Sequence, residues 1–416
     1  MNRSLPTVVR IGDQPSILAQ SLTLPCGAVI SNRIAKAAMS EQLADRFGVP
    51  TPELIRLFAT WSRGGAGLLI TGNAMIDRRA LVEPRNVILE SAADLAAFKA
   101  WTGAVHAHPG TQLWMQINHP GRVAVAPLSR QPVGPSALRP AVPGFNLRKP
   151  RALGAAEIGL LVTRFARTAE LAVEAGFDGV QIHAAHGYLL SQFLSPVANK
   201  RTDEYGGTPA NRRRFLQEVV RATRRAVGSG VPVGVKLNST DFERGGLSEA
   251  ESLDVALMLQ DEGIDLLEIS GGNYEAPAMT GVIRNDDRSR EAYFLSYAES
   301  LRAKTRLPLM LTGGLRTEAF MRKVLTDGAV DMLGLARPLA LAPDLPARLL
   351  RGEDVGALPA APKVGYAPLD SYLQLAWHAA QFRRIGSGLA PRPFGGAFKT
   401  LADVSVRMPL RILTQA

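Results

Sequence analysis

Eight short apolar segments, each followed by a stretch with helical spacing, constrain this 416-residue chain more than any other feature. They are RIAKAAM (33–39), GLLITG (67–72), QLWMQI (112–117), DGVQIH (178–183), PVGVKLN (232–238), DLLEIS (265–270), LPLMLTG (307–313) and VDMLGL (330–335). Such short, strongly apolar runs suit strands of a parallel sheet covered by helices. Eight of them predict a closed (β/α)8 TIM barrel; a doubly wound open sheet is the alternative, since alternation alone does not close a sheet. Thr51–Pro52 and Thr208–Pro209 each pair an N-cap with a proline at the first helical position, and Gly64, Gly176 and Gly228 stand where helices should stop. The barrel is assigned to residues 1–355. Within it, the proline-rich stretch 118–153 is too long for an ordinary βα connection and is expected to cap the strands' C-terminal ends. Residues 356–416 form an extension whose Leu369, Leu373, Ala376, Trp377 and Ala380 lie along one helix face. It is expected to pack on the barrel or on a second subunit, which leaves a homo-oligomer open.

Composition narrows the function classes. No apolar run reaches the roughly 18 residues that a spanning helix needs, and the N-terminus lacks a secretory apolar stretch, so a soluble, cytoplasmic protein without a membrane partner is expected. A single cysteine, Cys26, excludes an internal disulfide and a Cys-ligated iron–sulfur cluster. The net charge of +11 raises the question of nucleic acid, most of all at NRRRFLQEVVRATRR. There, however, Phe215, Val219 and Val220 recur at helical spacing, as on an amphipathic helix with a solvated basic face, so no nucleic-acid partner is expected. A basic field would also attract anionic pyridine nucleotides.

The chemistry concentrates between His183 and Gly207, HAAHGYLLSQFLSPVANKRTDEYGG, where His183, His186 and Tyr188 follow directly on a strand. A pair of histidines is poor grounds for zinc without further ligands, and none of the six histidines supplies an obvious third, so no metal is expected. By themselves these residues fit either an active site or packed histidines. Lys236, in the middle of GVKLN, must face something negative, because burying an unpaired charge is costly.

The string HGYLLSQFLSP, then Asn199, RTDEYGG and NRRRF, resembles the signature of the old yellow enzyme family, the NADH:flavin oxidoreductases. The resemblance covers roughly residues 20–350. It implies noncovalently bound FMN, NADH or NADPH as hydride donor, and a small-molecule oxidising substrate. It places Ser40 near flavin N5 and O4, Asn73 beside it mainly through its backbone, and Gln116 along the pyrimidine edge. Lys236 falls where the family usually has arginine, beside N1 and O2. Gly314, Leu315 and Ala336, the last where glycine is common, would offer N–H groups to the phosphate together with the Arg337 guanidinium. His183 and His186 would hydrogen-bond a carbonyl or nitro oxygen, and Tyr188 would protonate the α carbon. GGNYEAPAM, after Ser270, is expected to form part of the substrate wall. The implied activity is FMN-dependent NAD(P)H reduction of electron-poor alkenes, enones and nitroalkenes. The alternatives are an NADH oxidase or a flavin or quinone reductase, and a noncatalytic FMN-binding barrel. The branches with a cysteine cluster and a second nucleotide domain are disfavoured.

Overall fold

Closing the sheet on itself is how these apolar runs bury both faces. The computed structural model describes residues 16–142, 146–276, 292–356, 358–392 and 396–415. Its barrel strands are β1 (Ile34–Lys36), β2 (Leu68–Met75), β3 (Gln112–Asn118), β4 (Gly179–Ala184), β5 (Val233–Asn238), β6 (Leu266–Ser270), β7 (Leu309–Thr312) and β8 (Met332–Leu335). They pair in parallel in sequence order, and β8 pairs with β1 to close the barrel. Closure excludes the doubly wound alternative. Each strand lies on the apolar run that predicted it; β2 continues to Met75 across a register shift between Ile70 and Asn73.

Alternation along each strand divides the barrel into two environments. Val180, Ile182 and Ala184 of β4 face outward into the core shared with Phe165 and Leu171 of the helix Ala155–Glu174. Toward the strands' N-terminal ends the interior is an apolar plug of Leu68, Ile70, Trp114, Leu266, Met310 and Met332. Leu22, Leu24 and Ile30, from an antiparallel ribbon before the barrel, join that plug. Burying each large side chain there contributes roughly 1.5–3 kcal/mol. Gly179 and Gly234 leave room for the Trp114 indole, since a Cβ at either would sit 2.8 or 2.9 Å from it. Toward the C-terminal ends the interior turns polar, with Gln116, Gln181, Lys236 and Glu268 all buried. A polar layer at that end is where this architecture places its chemistry.

The helix signals hold locally. Thr51 Oγ1 accepts from the Leu54 N–H at 3.3 Å and Thr208 Oγ1 from Asn211 N–H at 3.2 Å. Gly176 and Gly228 adopt the left-handed backbone at φ 90° and 81°, as residues ending a helix often do. In the basic helix Pro209–Val227, Arg212 pairs with Glu251, Arg221 with Glu262 and Arg224 with Asp265. Much of its charge is thus engaged within the chain.

Beyond β3, Val133–Gly134 pairs with Arg151–Ala152, and Val123, Leu128 and Leu147 pack in one cluster with Tyr188, which places part of the insertion beside that residue. The helix Ala367–Gly386 packs on the chain's own barrel: Phe382 meets Trp61, of the helix Pro52–Arg63, with ring centroids 5.5 Å apart. Leu373 and Trp377 of the expected face are buried, while Leu369, Ala376 and Ala380 are half-buried. The extension contains a second helix, Ala397–Leu413, where only one was expected. Pro409 lies inside it, and an internal proline is a strong signal against a helix. No helix among the described residues is long and apolar enough to cross a membrane.

Candidate active site

β4 ends on Ala184, directly after His183, and the chain turns through Ala185, His186 and Gly187 into a short helix beginning at Leu189. His186 has φ 62°, rare outside glycine. It is held there by its N–H, which donates to Asn238 Oδ1 at 3.1 Å, at the end of β5. This turn gathers the three predicted residues. The His183 ring lies 4.7 Å from that of Tyr188 and 5.1 Å from that of His186, both edge to face.

The hydrogen bonds set the protonation pattern. The Ala185 N–H donates to His183 Nδ1 at 3.3 Å, so that nitrogen carries a lone pair and the neutral ring keeps its proton on Nε2. His186 Nε2 lies 2.7 Å from Ser270 Oγ, at the end of β6. Burial drives both histidines well below the ordinary imidazole range, with the Lys236 charge adding to the effect. Both are neutral near pH 7. Burial, then Tyr274 and Glu83, hold the Tyr188 phenol well above its ordinary value, so it keeps its proton. Its hydroxyl lies 2.7 Å from Tyr274 Oη and accepts from Asn73 Nδ2 at 3.4 Å.

Two further networks surround this core. Gln116 Nε2 donates to Gln181 Oε1, Gln181 Nε2 to Glu268 Oε2 and Lys236 Nζ to Glu268 Oε1, each at 2.8 Å. The negative group that Lys236 needs is therefore present in the protein, as Glu268. Ser40 Oγ bonds Asn73 Oδ1 at 2.8 Å and also Glu83, whose other carboxylate oxygen accepts from Gln42. Burial raises the Glu83 carboxyl above its usual range. At the last strands, Gly314 and Leu315 follow β7, with Gly314 at φ 74°, and Ala336 and Arg337 follow β8. Arg337 is largely buried and donates to Gln374 Oε1 of the helix Ala367–Gly386 at 2.7 Å.

Sequence reasoning missed Gln181, Glu268, Tyr274, Glu83 and Gln42. A signal existed for the first two: Gln181 lies two residues before His183, on the same strand face, and Glu268 interrupts DLLEIS as Lys236 interrupts GVKLN. Tyr274 belongs to the anticipated wall segment GGNYEAPAM, of which 277–279 fall outside the described residues. Glu83 and Gln42 lie in loops without periodicity.

Several groups at this end match a polar, many-acceptor ligand. Both amide atoms of Asn118, Thr312 Oγ1 and Ser239 Oγ are buried at or just past strand ends without a hydrogen-bond partner among the described residues. Buried polar groups left open in this way call for a ligand or water. Among the described residues, no group of three or more His, Cys, Asp or Glu is placed to hold a metal ion.

Residues 26–354 match the NADH:flavin oxidoreductase / NADH oxidase family. The chain belongs to that family. It is 36% identical over 362 residues to the NADH-dependent flavin oxidoreductase iccE of Talaromyces variabilis, covering 81% of this chain and 87% of that protein. It is 32% identical over 330 residues to an NADH oxidase of Thermoanaerobacter brockii, covering 78% of this chain but 49% of that longer protein. The solved old yellow enzyme homologue of Zymomonas mobilis superposes with a TM-score of 0.69 at 29% identity, over 82% of this chain and 94% of that one. This flavin-dependent oxidoreductase thus uses FMN and a nicotinamide coenzyme, and the noncatalytic barrel is set aside. The open strand-end groups, the cation Arg337 and the glycine-containing turn after β7 fit FMN.

Proposed function

We propose that this oxidoreductase reduces alkenes conjugated to a carbonyl or nitro group. The observation that carries the reading is the pairing of two neutral histidines with a protonated tyrosine in one buried pocket. When bound, FMN supplies the hydride chemistry. His183 presents Nε2–H, fixed by the bond at Nδ1, to the substrate oxygen; His186, held by Ser270, is the second donor. Donors organised in a water-poor pocket stabilise an oxyanion more strongly than they could in water. Tyr188 gives its proton to the α carbon, and Tyr274, at 2.7 Å, stands ready to share the charge left on the phenolate. In the same reading Ser40, Asn73, Gln116 and Lys236 border the flavin ring, while Gly314, Leu315, Ala336 and Arg337 hold its phosphate.

Tyr188→Phe tests this directly. Reduction by the nicotinamide donor should stay within about twofold, while reoxidation by an enone should slow by roughly 10²–10⁴, the usual share of a positioned general acid. Nitroalkenes should suffer less, because a nitronate is stable without that proton. Unchanged enone turnover in Tyr188→Phe would refute the assignment. The likeness to an NADH oxidase favours a second reading, transfer of electrons to oxygen or a quinone. That reading predicts rapid reoxidation by oxygen or a quinone and none by any enone, in the parent protein as in the variant.

A further inference from the structure

The C-terminal extension and the barrel enclose a cavity of about 630 Å³ that the reaction just described does not use. Seven of its eighteen lining residues are Arg or Lys, against one carboxylate, Glu53. Among the described residues, Arg85, Arg384, Arg392 and Lys399 have no carboxylate partner. Arg384 Nε reaches only the Ala390 carbonyl, at 3.0 Å, and the Arg85 guanidinium only the Thr414 hydroxyl, at 3.2 Å. Three arginines of Pro209–Val227, Arg212, Arg221 and Arg224, each have a carboxylate partner, whereas none of these four cavity cations does.

Two other observations tie the cavity to the active site. Gln42 lines the cavity and also bonds Glu83, which contacts Ser40 and, through Ser40 and Asn73, the Tyr188 hydroxyl. Ile412, at the end of the second extension helix, packs against the cluster that contains Tyr188, as Tyr274 does. Moreover, Gln42 and Arg85 hold φ of 55° and 63°, a left-handed backbone that is uncommon for such side chains and frequent at ligand clamps.

We propose that this cavity binds the phosphorylated adenosine end of a ligand whose reactive end lies beside His183 and Tyr188. Arginine suits such a site because its planar fork takes two phosphate oxygens at once, while Lys399 adds a point charge. Two ligands carry this chemistry: a nicotinamide coenzyme with a ribose 2′-phosphate, and a coenzyme A thioester with a ribose 3′-phosphate. The position of the reactive end rests on the pocket proposed above; the phosphate site itself does not.

Calorimetry on the FMN-loaded protein tests the site without turnover, using adenosine 2′,5′-bisphosphate, adenosine 3′,5′-bisphosphate and inorganic phosphate. At least one bisphosphate should bind tenfold or more tighter than phosphate, and weaken steeply with salt. Arg384→Ala and Lys399→Ala should each cost about tenfold, the worth of one charge-assisted contact, without loss of FMN. Competition then identifies the source: inhibition of flavin reduction by NADPH marks the coenzyme, and inhibition of reoxidation by an enoyl-CoA marks the thioester. Bisphosphates that bind no better than phosphate, or equally well to both variants, would overturn the proposal. So would tight bisphosphate binding that competes with neither ligand. A protein that binds a bisphosphate in competition with NADPH yet fails to reduce enones would retain this site and lose only the alkene reading.

Discussion

Removing Lys236 should destabilise the fold, and removing Glu268 with it should largely restore stability. Both side chains are buried inside the barrel, and Lys236 Nζ lies 2.8 Å from Glu268 Oε1. In Lys236→Met the carboxylate keeps its bond from Gln181 but loses its cation in a water-poor interior. Breaking a buried pair in this way costs about 3–5 kcal/mol. Lys236→Met with Glu268→Leu replaces the pair by apolar residues of similar volume and should fall within roughly 1–2 kcal/mol of the parent, which makes the two substitutions strongly non-additive. Urea unfolding of the FMN-free protein, analysed as a double-mutant cycle, measures this coupling apart from any flavin contact. Additive effects, or a single Lys236→Met within 1 kcal/mol of the parent, would show that the pair does not carry the interior's electrostatics. With Lys236 beside the flavin as proposed, the same pair bears on its potential. Because Glu268 offsets Lys236, removing the lysine alone should lower the two-electron potential, whereas Glu268→Gln should raise it.

Arg337→Ala should weaken FMN retention by roughly 1.5–3 kcal/mol, the worth of a hydrogen bond to a charged group, and unaltered retention on dialysis would place the phosphate elsewhere. Burial pushes His378 down to about 4 from 6.5, so between those values the unfolded chain takes up a proton that the native state refuses, and stability is lost as pH falls through that window. At pH 5 this amounts to about 2 kcal/mol. The drop in urea midpoint between pH 7 and pH 5 should be correspondingly smaller in His378→Gln, and an identical drop would contradict the shift. Asn118→Leu should leave apoprotein stability unchanged or higher, since neither amide atom has a partner, yet weaken binding at the strand ends; a marked loss of apoprotein stability would mean the amide is satisfied within the protein.

The division between what was legible in the sequence and what was not follows the range of the interactions. All eight strands could be read because a strand buried on both faces leaves a local apolar run, and His183, His186 and Tyr188 because one turn carries all three. Lys236 shows where local reading stops. Its burial in GVKLN demanded a negative partner, and the flavin was the expected one; the partner present is Glu268, 32 residues away, brought alongside only by the parallel register of β5 with β6. The two strands held the answer jointly, since a lone acid in DLLEIS poses the same problem as a lone base in GVKLN and each residue resolves the other. Ser40 and Glu83 repeat the case without even that clue, because a loop after β2 has no period from which to infer what it faces. The extension was the least readable part: Pro409 concealed a helix, and the cavity exists only where residues near 42 and 85 meet residues from 377 to 411. A charge of +11 looked diffuse along the chain. Folding pairs Arg212, Arg221 and Arg224 with carboxylates and brings Arg85, Arg384, Arg392 and Lys399 to one cavity, and it is this sorting, absent from any composition, on which the proposed phosphate site rests.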